Sequence, residues 1–163
     1  MKSLSNKYHE PQVKAIALYE IYFGCTSIVY SLLLGFLLLL AMGITGTYRE
    51  NIWITLIYAC GSLLLLISGK LLLKRHGFGL VLSIVSNLWF SFLYFYLVKL
   101  QSKCVSVLGG TQQVCPPGSE MFHTLAFGSV SVALAIGIIT AAVALFLCGS
   151  FLWPLLRSKL GTE

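Results

Sequence analysis

Four long apolar runs fill most of this chain, and their length fixes the solvent in which it can fold. They run from Ala15 to Thr45, Ile52 to Leu73, Phe78 to Leu100 and Phe122 to Trp153–Pro154. A bilayer core is ~30 Å thick and takes ~20 apolar residues at 1.5 Å of rise each. Every run meets that length. A helix at the surface of a soluble protein keeps a polar face, and these runs have none. The expected fold is all-α: a polytopic membrane protein built as a four-transmembrane-helix bundle, with helices over 15–45, 52–73, 78–100 and 122–153. Residues 1–14 form a short arm, 101–121 a loop, and 155–163 a tail.

The composition leaves little else to fold. The 163 residues are 58% hydrophobic and 10% charged, which is the membrane class and excludes a second soluble domain. The first run is about twice the ~7–15 residues of a signal-peptide core, so it reads as a span and not as a cleaved leader. At about 30 residues it also exceeds the hydrocarbon thickness and must tilt or project. Projection would set Tyr19, Glu20 and Tyr22 near the headgroups.

The net charge is +6. Lys and Arg gather on the cytoplasmic side of a membrane. With both termini inside, that side holds Lys2, Lys7, Lys14, Lys70, Lys74, Arg75, Arg157 and Lys159, against Arg49, Lys99 and Lys103 outside. This bias predicts cytoplasmic termini. It also explains the basic charge by attraction to anionic lipid, about 1 kcal/mol per residue, without nucleic acid. The same orientation puts Cys104 and Cys115 in the outer loop, where disulfides persist. A bond between them would contribute about 3 kcal/mol in the chain-entropy model; two free thiols are the alternative. Cys25, Cys60 and Cys148 lie within spans. Cys148, near the cytoplasmic end of the fourth, is a candidate for palmitoylation or simply a small packing residue.

Several features could carry function. Small residues recur every four positions on the fourth helix, at Ser129, Ala133, Gly137 and Ala141, with Gly149 on the same line. Ser27, Ser31 and Gly35 form a shorter stripe on the first. Helices in lipid associate by close backbone approach through such residues. The stripes therefore mark packing within one bundle or a seam with another chain. Glu20 is the acidic residue inside the apolar runs, and such groups are functional candidates by default. Its place near one end of its run predicts a water-exposed interfacial carboxylate, with proton or cation binding as the sharper alternative. Asn87, flanked by Ser83 and Ser86, predicts interhelical hydrogen bonding or the lining of a polar path. The aromatics Trp89, Phe90, Phe92, Tyr94, Phe95 and Tyr96 crowd the outer half of the third helix, where Tyr94 and Tyr96 suit an interfacial belt.

Catalytic signatures are missing from the sequence. His9, His76 and His123 fall at three separate places, and there is no HExxH, CxxC, nucleophile elbow or phosphate loop. The expectation is a protein that is not an enzyme and uses no metal or cofactor. Nor does any filter sequence or acidic ring suggest a pore within one chain.

Four stretches resemble the membrane-spanning four-domain family, subfamily A, which includes a B-cell surface antigen and the beta chain of the high-affinity IgE receptor. They are Ala17-Leu18-Tyr19-Glu20-Ile21 followed by Gly24 and Gly35, then Ile67-Ser68-Gly69, then Ser83-Ile84-Val85-Ser86-Asn87, and last Ala142 to Gly149. The loop plan is also similar: a short first outer loop, a second with two cysteines, and cytoplasmic ends. Glu20 stands where that family usually has glutamine, and neither tail holds its paired-tyrosine signalling motif. The resemblance implies a tetraspan of plasma or endosomal membranes that forms homo- or hetero-oligomers. It would modulate a receptor complex, its signalling or its trafficking. A cation channel or channel regulator and a lipid-binding tetraspan are the alternative functions.

Overall fold

The computed structural model describes residues 10–45, 49–106, 113–114, 119, 125 and 129–152. Within them the apolar runs fold as four helices: α1 (Glu10–Thr45), α2 (Arg49–Leu73), α3 (Gly77–Gln101) and α4 (Val130–Leu147). All four are long and apolar enough to cross a membrane. A short π-helical turn, Cys148–Leu152, extends α4. A two-stranded ribbon, β1 (Val105–Ser106) and β2 (Gln113–Val114), pairs antiparallel in the loop between α3 and α4. Residues 46–48, most of the loop after Ser106 and the tail beyond 152, including the expected outer turn near residue 47, lie outside the described residues.

The fourth helix starts later than its apolar run. Ser129 is extended (φ −115°, ψ 119°), and its side chain accepts a hydrogen bond from the Val132 amide at 3.4 Å. A serine at this position satisfies a backbone N–H that the first turn leaves free. It therefore ends the continuous helix expected from residue 122 and sets the first helical residue at Val130.

Consecutive helices are neighbours: α1 packs along α2, α2 on α3, and α3 on α4. The α2–α3 turn explains one of these contacts. The His76 amide donates to the Leu71 carbonyl (3.0 Å) and the Arg75 amide to that of Leu72 (2.9 Å), with Arg75 left-handed at φ 54°. This is a Schellman closure, which satisfies the last carbonyls of a helix. Gly79 then lies so close that a Cβ there would sit 2.7 Å from Leu71 Cβ and 2.8 Å from its carbonyl carbon.

Two apolar layers hold the interior. In one, Phe90 receives Phe23 and Tyr58 edge-on at 5.4 and 5.3 Å, a favoured aromatic arrangement, beside Leu65, Leu93, Tyr94 and Leu97. The other groups Ala17 of α1 with Leu72 of α2, Leu80 and Ile84 of α3, and Ala144 and Leu147 of α4. Tyr94 is 1% exposed and its hydroxyl donates to the Leu125 carbonyl at 3.4 Å, so it belongs to the core and not to an interfacial belt. Tyr96, Trp89 and Phe92 do face outward.

Candidate functional site: a buried carboxyl between three helices

Glu20 is where the structure departs furthest from the expected interfacial carboxylate. It is 0% exposed. Its phase on α1 explains why: Ala17, Glu20, Gly24, Ser27 and Ser31 are all buried and recur at steps of three and four, one face of a helix. That face is turned to α2 and α3, and distance from the end of the run has no bearing on it. Exposed positions alternate with it, including Leu18, Tyr22 and Cys25.

Two other helices supply the partners. Ser68 Oγ of α2 lies 2.7 Å from Glu20 Oε2, in position to donate. From α3, Ser83 Oγ donates to Glu20 Oε1, and Asn87 Nδ2 donates to the same oxygen at 2.7 Å. Asn87 Nδ2 also reaches the Ser83 carbonyl at 2.9 Å. Both Asn87 and the two serines are fully buried. None of the donors that reach the carboxyl is a cation. Asn87 Oδ1 is buried without a hydrogen-bond partner.

Arrival at this cluster requires α1 and α2 to approach closely. A Cβ on Gly24 would stand 2.9 Å from the Leu66 amide nitrogen and 3.0 Å from the Ser62 carbonyl oxygen. One on Gly69 would stand 2.8 Å from the Ala17 carbonyl oxygen. Hydrogen is the only substituent that fits at either place. Farther along, Tyr58 donates to Ser27 Oγ at 3.1 Å, and Ser31 Oγ to the Ser27 carbonyl at 2.6 Å. Interhelical bonds of this kind average ~0.6 kcal/mol, so the three on Glu20 sum to about 2 kcal/mol. Deleting the carboxyl costs more, because each stranded donor carries a penalty of about 1–3 kcal/mol.

The small-residue stripes fall as follows. Ala133 and Gly137 are buried against α3, where Ser91 Oγ donates to the Gly137 carbonyl at 3.0 Å. Ala141 is half-buried. The line continues instead through Thr140, Ala144 and Leu147. Gly149 is exposed with nothing within 4 Å of a Cβ, so it leaves the stripe. Ser27 and Ser31 are buried, whereas Gly35 is half-buried and a Cβ there would meet only Thr55 Cγ2, at 3.9 Å. The intimate glycine of α1 is Gly24.

Sequence reasoning passed over Ser68, Ser91 and Thr140 as interior residues. The signal was the spacing: extending the Ser27–Ser31 stripe back by steps of three and four reaches Glu20. Cys25 and Cys60 are exposed free thiols and Cys148 a half-buried one. Among the described residues no group of three or more His, Cys, Asp or Glu could hold a metal ion.

Family models, curated proteins and solved structures were each compared with the chain, and none matches. The resemblance to the four-domain family thus rests on the quoted stretches alone.

Proposed function

We propose that this chain is a non-enzymatic tetraspan membrane protein that oligomerises and modulates a receptor complex, its signalling or its trafficking. It would act at the plasma or an endosomal membrane with both termini in the cytoplasm. The observation that carries this reading is the distribution of cover among the helices. Only 17% of the apolar window of α1 is buried within the chain, against 50% for α3. Leu18, Val29, Leu32 and Phe36 stand outward on α1, a flank available to lipid or to another membrane protein. The polar side chains described above turn inward and bond across helices, which favours an interaction role over a water-filled path through one chain. Three of the four family-like stretches, 17–21, 67–69 and 83–87, converge on the Glu20 cluster.

The Cys104–Cys115 bond belongs to the same reading. The ribbon register pairs Val105 with Val114 and Ser106 with Gln113. Cys104 is itself a disulfide half, while Cys115 lies outside the described residues.

Purification from native membranes in a gentle detergent, with identification of co-purifying chains, tests the proposal. A reproducible membrane-protein partner or a homo-oligomer supports it. A lone monomer, with cation flux on reconstitution, would replace it with the channel reading. Stoichiometric co-purified lipid on a monomer would favour the lipid-binding one.

A further inference from the structure

The polar contacts around Glu20 exceed by one the hydrogens that its partners carry. Five contacts need one each: Ser68 Oγ to Glu20 Oε2 (2.7 Å), Ser68 Oγ to the Leu65 carbonyl (2.8 Å), Ser83 Oγ to Glu20 Oε1, and Asn87 Nδ2 to Glu20 Oε1 (2.7 Å) and to the Ser83 carbonyl (2.9 Å). A serine hydroxyl carries one hydrogen and an amide nitrogen two. Ser68, Ser83 and Asn87 thus offer four hydrogens to five contacts. The contact in excess is at Ser68, whose single hydrogen cannot point both to its own helix and to Glu20. A proton on Oε2 closes the count: the carboxyl donates to Ser68 Oγ, and Ser68 donates to Leu65. Asn87 Oδ1, buried and unpartnered, is a second acceptor in the same cluster.

We propose that Glu20, Ser68, Ser83 and Asn87 form a reversible proton-binding site at the contact of α1, α2 and α3. Uptake adds one proton to Glu20 Oε2 and turns the Ser68 hydroxyl back to Leu65. Release to water leaves a carboxylate and turns the same hydroxyl to Oε2. No heavy atom moves, and the Leu65 carbonyl loses nothing obligatory, since it lies within a helix whose main chain supplies its bond. The charge of the three-helix contact changes by one on each uptake or release. A proton is the ligand that fits, because polar contacts of 2.7–2.9 Å close the cluster and leave no room for a metal ion between its oxygens.

The surroundings leave Glu20 to set this equilibrium. On α1 its neighbour Tyr19 is half-buried, and Lys14 and Tyr22 are exposed. On α2 Lys70 is exposed and Tyr58 donates to Ser27. Neither 77–98 of α3 nor 130–147 of α4 contains a charged residue. The site is not at mid-span. Ser68 lies five residues before the end of α2 and Ser83 six after the start of α3, so both are about 8–9 Å along the helix from the Lys74–His76 turn at 1.5 Å per residue. Exchange with water on that side spans a short distance. The inference is independent of the receptor-complex reading and would survive its failure.

Infrared difference spectroscopy on the full chain in lipid nanodiscs, over a pH series, tests it. Expected is a protonated-carboxyl C=O band that appears and disappears reversibly with pH at constant helix content. It would shift in heavy water and be lost in Glu20→Gln. Ser68→Ala, which removes the hydroxyl that receives the proton, is expected to shift both the band frequency and its titration midpoint, a readout that does not depend on Glu20→Gln folding. The proposal falls if no such band arises at any pH where the helices persist, or if the band is present and invariant throughout. It also falls if Ser68→Ala leaves frequency and midpoint unchanged.

Discussion

Replacing Gly24 by alanine adds one methyl group at the closest approach of α1 and α2. That methyl would sit 2.9 Å from the Leu66 amide nitrogen, 3.0 Å from the Ser62 carbonyl oxygen and 3.1 Å from Leu66 Cβ. Carbon contacts are most favourable at ~3.5–4.0 Å, so the helices must separate by about half an ångström. Two of the three obstacles are backbone and cannot rotate away. Overpacking of this kind costs about 1–3 kcal/mol. Alanine in a helix regains about 0.5–1 kcal/mol over glycine, leaving Gly24→Ala destabilised by roughly 0–2.5 kcal/mol. Gly35→Ala makes the same chemical change eleven residues along the same helix, where the nearest atom is 3.9 Å away. It is expected to gain the propensity term and lose nothing. Because that term is common to both variants, the difference between them isolates the steric cost, about 1–3 kcal/mol. Equilibrium unfolding in mixed micelles titrated with dodecyl sulfate, followed by circular dichroism, measures it. Equal stability of the two variants would refute the close α1–α2 contact.

Gly137→Leu is expected to destabilise the fold by about 1–3 kcal/mol by overpacking without changing complex size. A Cβ at Gly137 already meets the Phe95 ring at 3.5 Å and Tyr94 Cβ at 3.6 Å within the chain; a smaller complex at unchanged stability would instead place this face at a subunit seam. An impermeant thiol reagent on intact cells is expected to label Cys104 and Cys115 only after impermeant reduction; labelling without reduction would exclude their bond. Acyl-exchange labelling is expected to weaken in Cys148→Ser, and equal signal from both proteins would dispose of palmitoylation there.

The helices were legible because length in lipid is a strict requirement. The structure moves the ends of α3 by one residue, to Gly77 and Gln101, and carries α1 and α2 outward by a few. The start of α4 was not legible, because Phe122, Leu125, Ala126 and Phe127 carry an apolar run up to Ser129, and the helix boundary depends on that one capping serine. The interior was harder still. In water a buried face announces itself by leucines among charges, but here leucines cover the outside and the buried faces carry small and polar groups. Ser62, Ser68, Ser83, Ser91 and Thr140 are all interior. The two small-residue stripes show this inverted pattern in part, at Ser27, Ser31, Ala133 and Gly137. Glu20 is buried because angle around the helix, not depth along the run, decides which side chains meet α2 and α3.

A double-mutant cycle between Glu20 and Asn87 is the most direct test of the central claim, that this carboxyl ties α1 to the rest of the bundle. Stabilities of the wild type, Glu20→Ala, Asn87→Ala and the double variant would be taken from the same micellar unfolding. Residues sharing a buried hydrogen bond couple by about 0.5–3 kcal/mol. The account expects coupling in that range, with the double variant less damaged than the sum of the singles, because each single strands the groups that the other residue had satisfied. Additivity to within about 0.3–0.5 kcal/mol would contradict it and return Glu20 to the membrane surface.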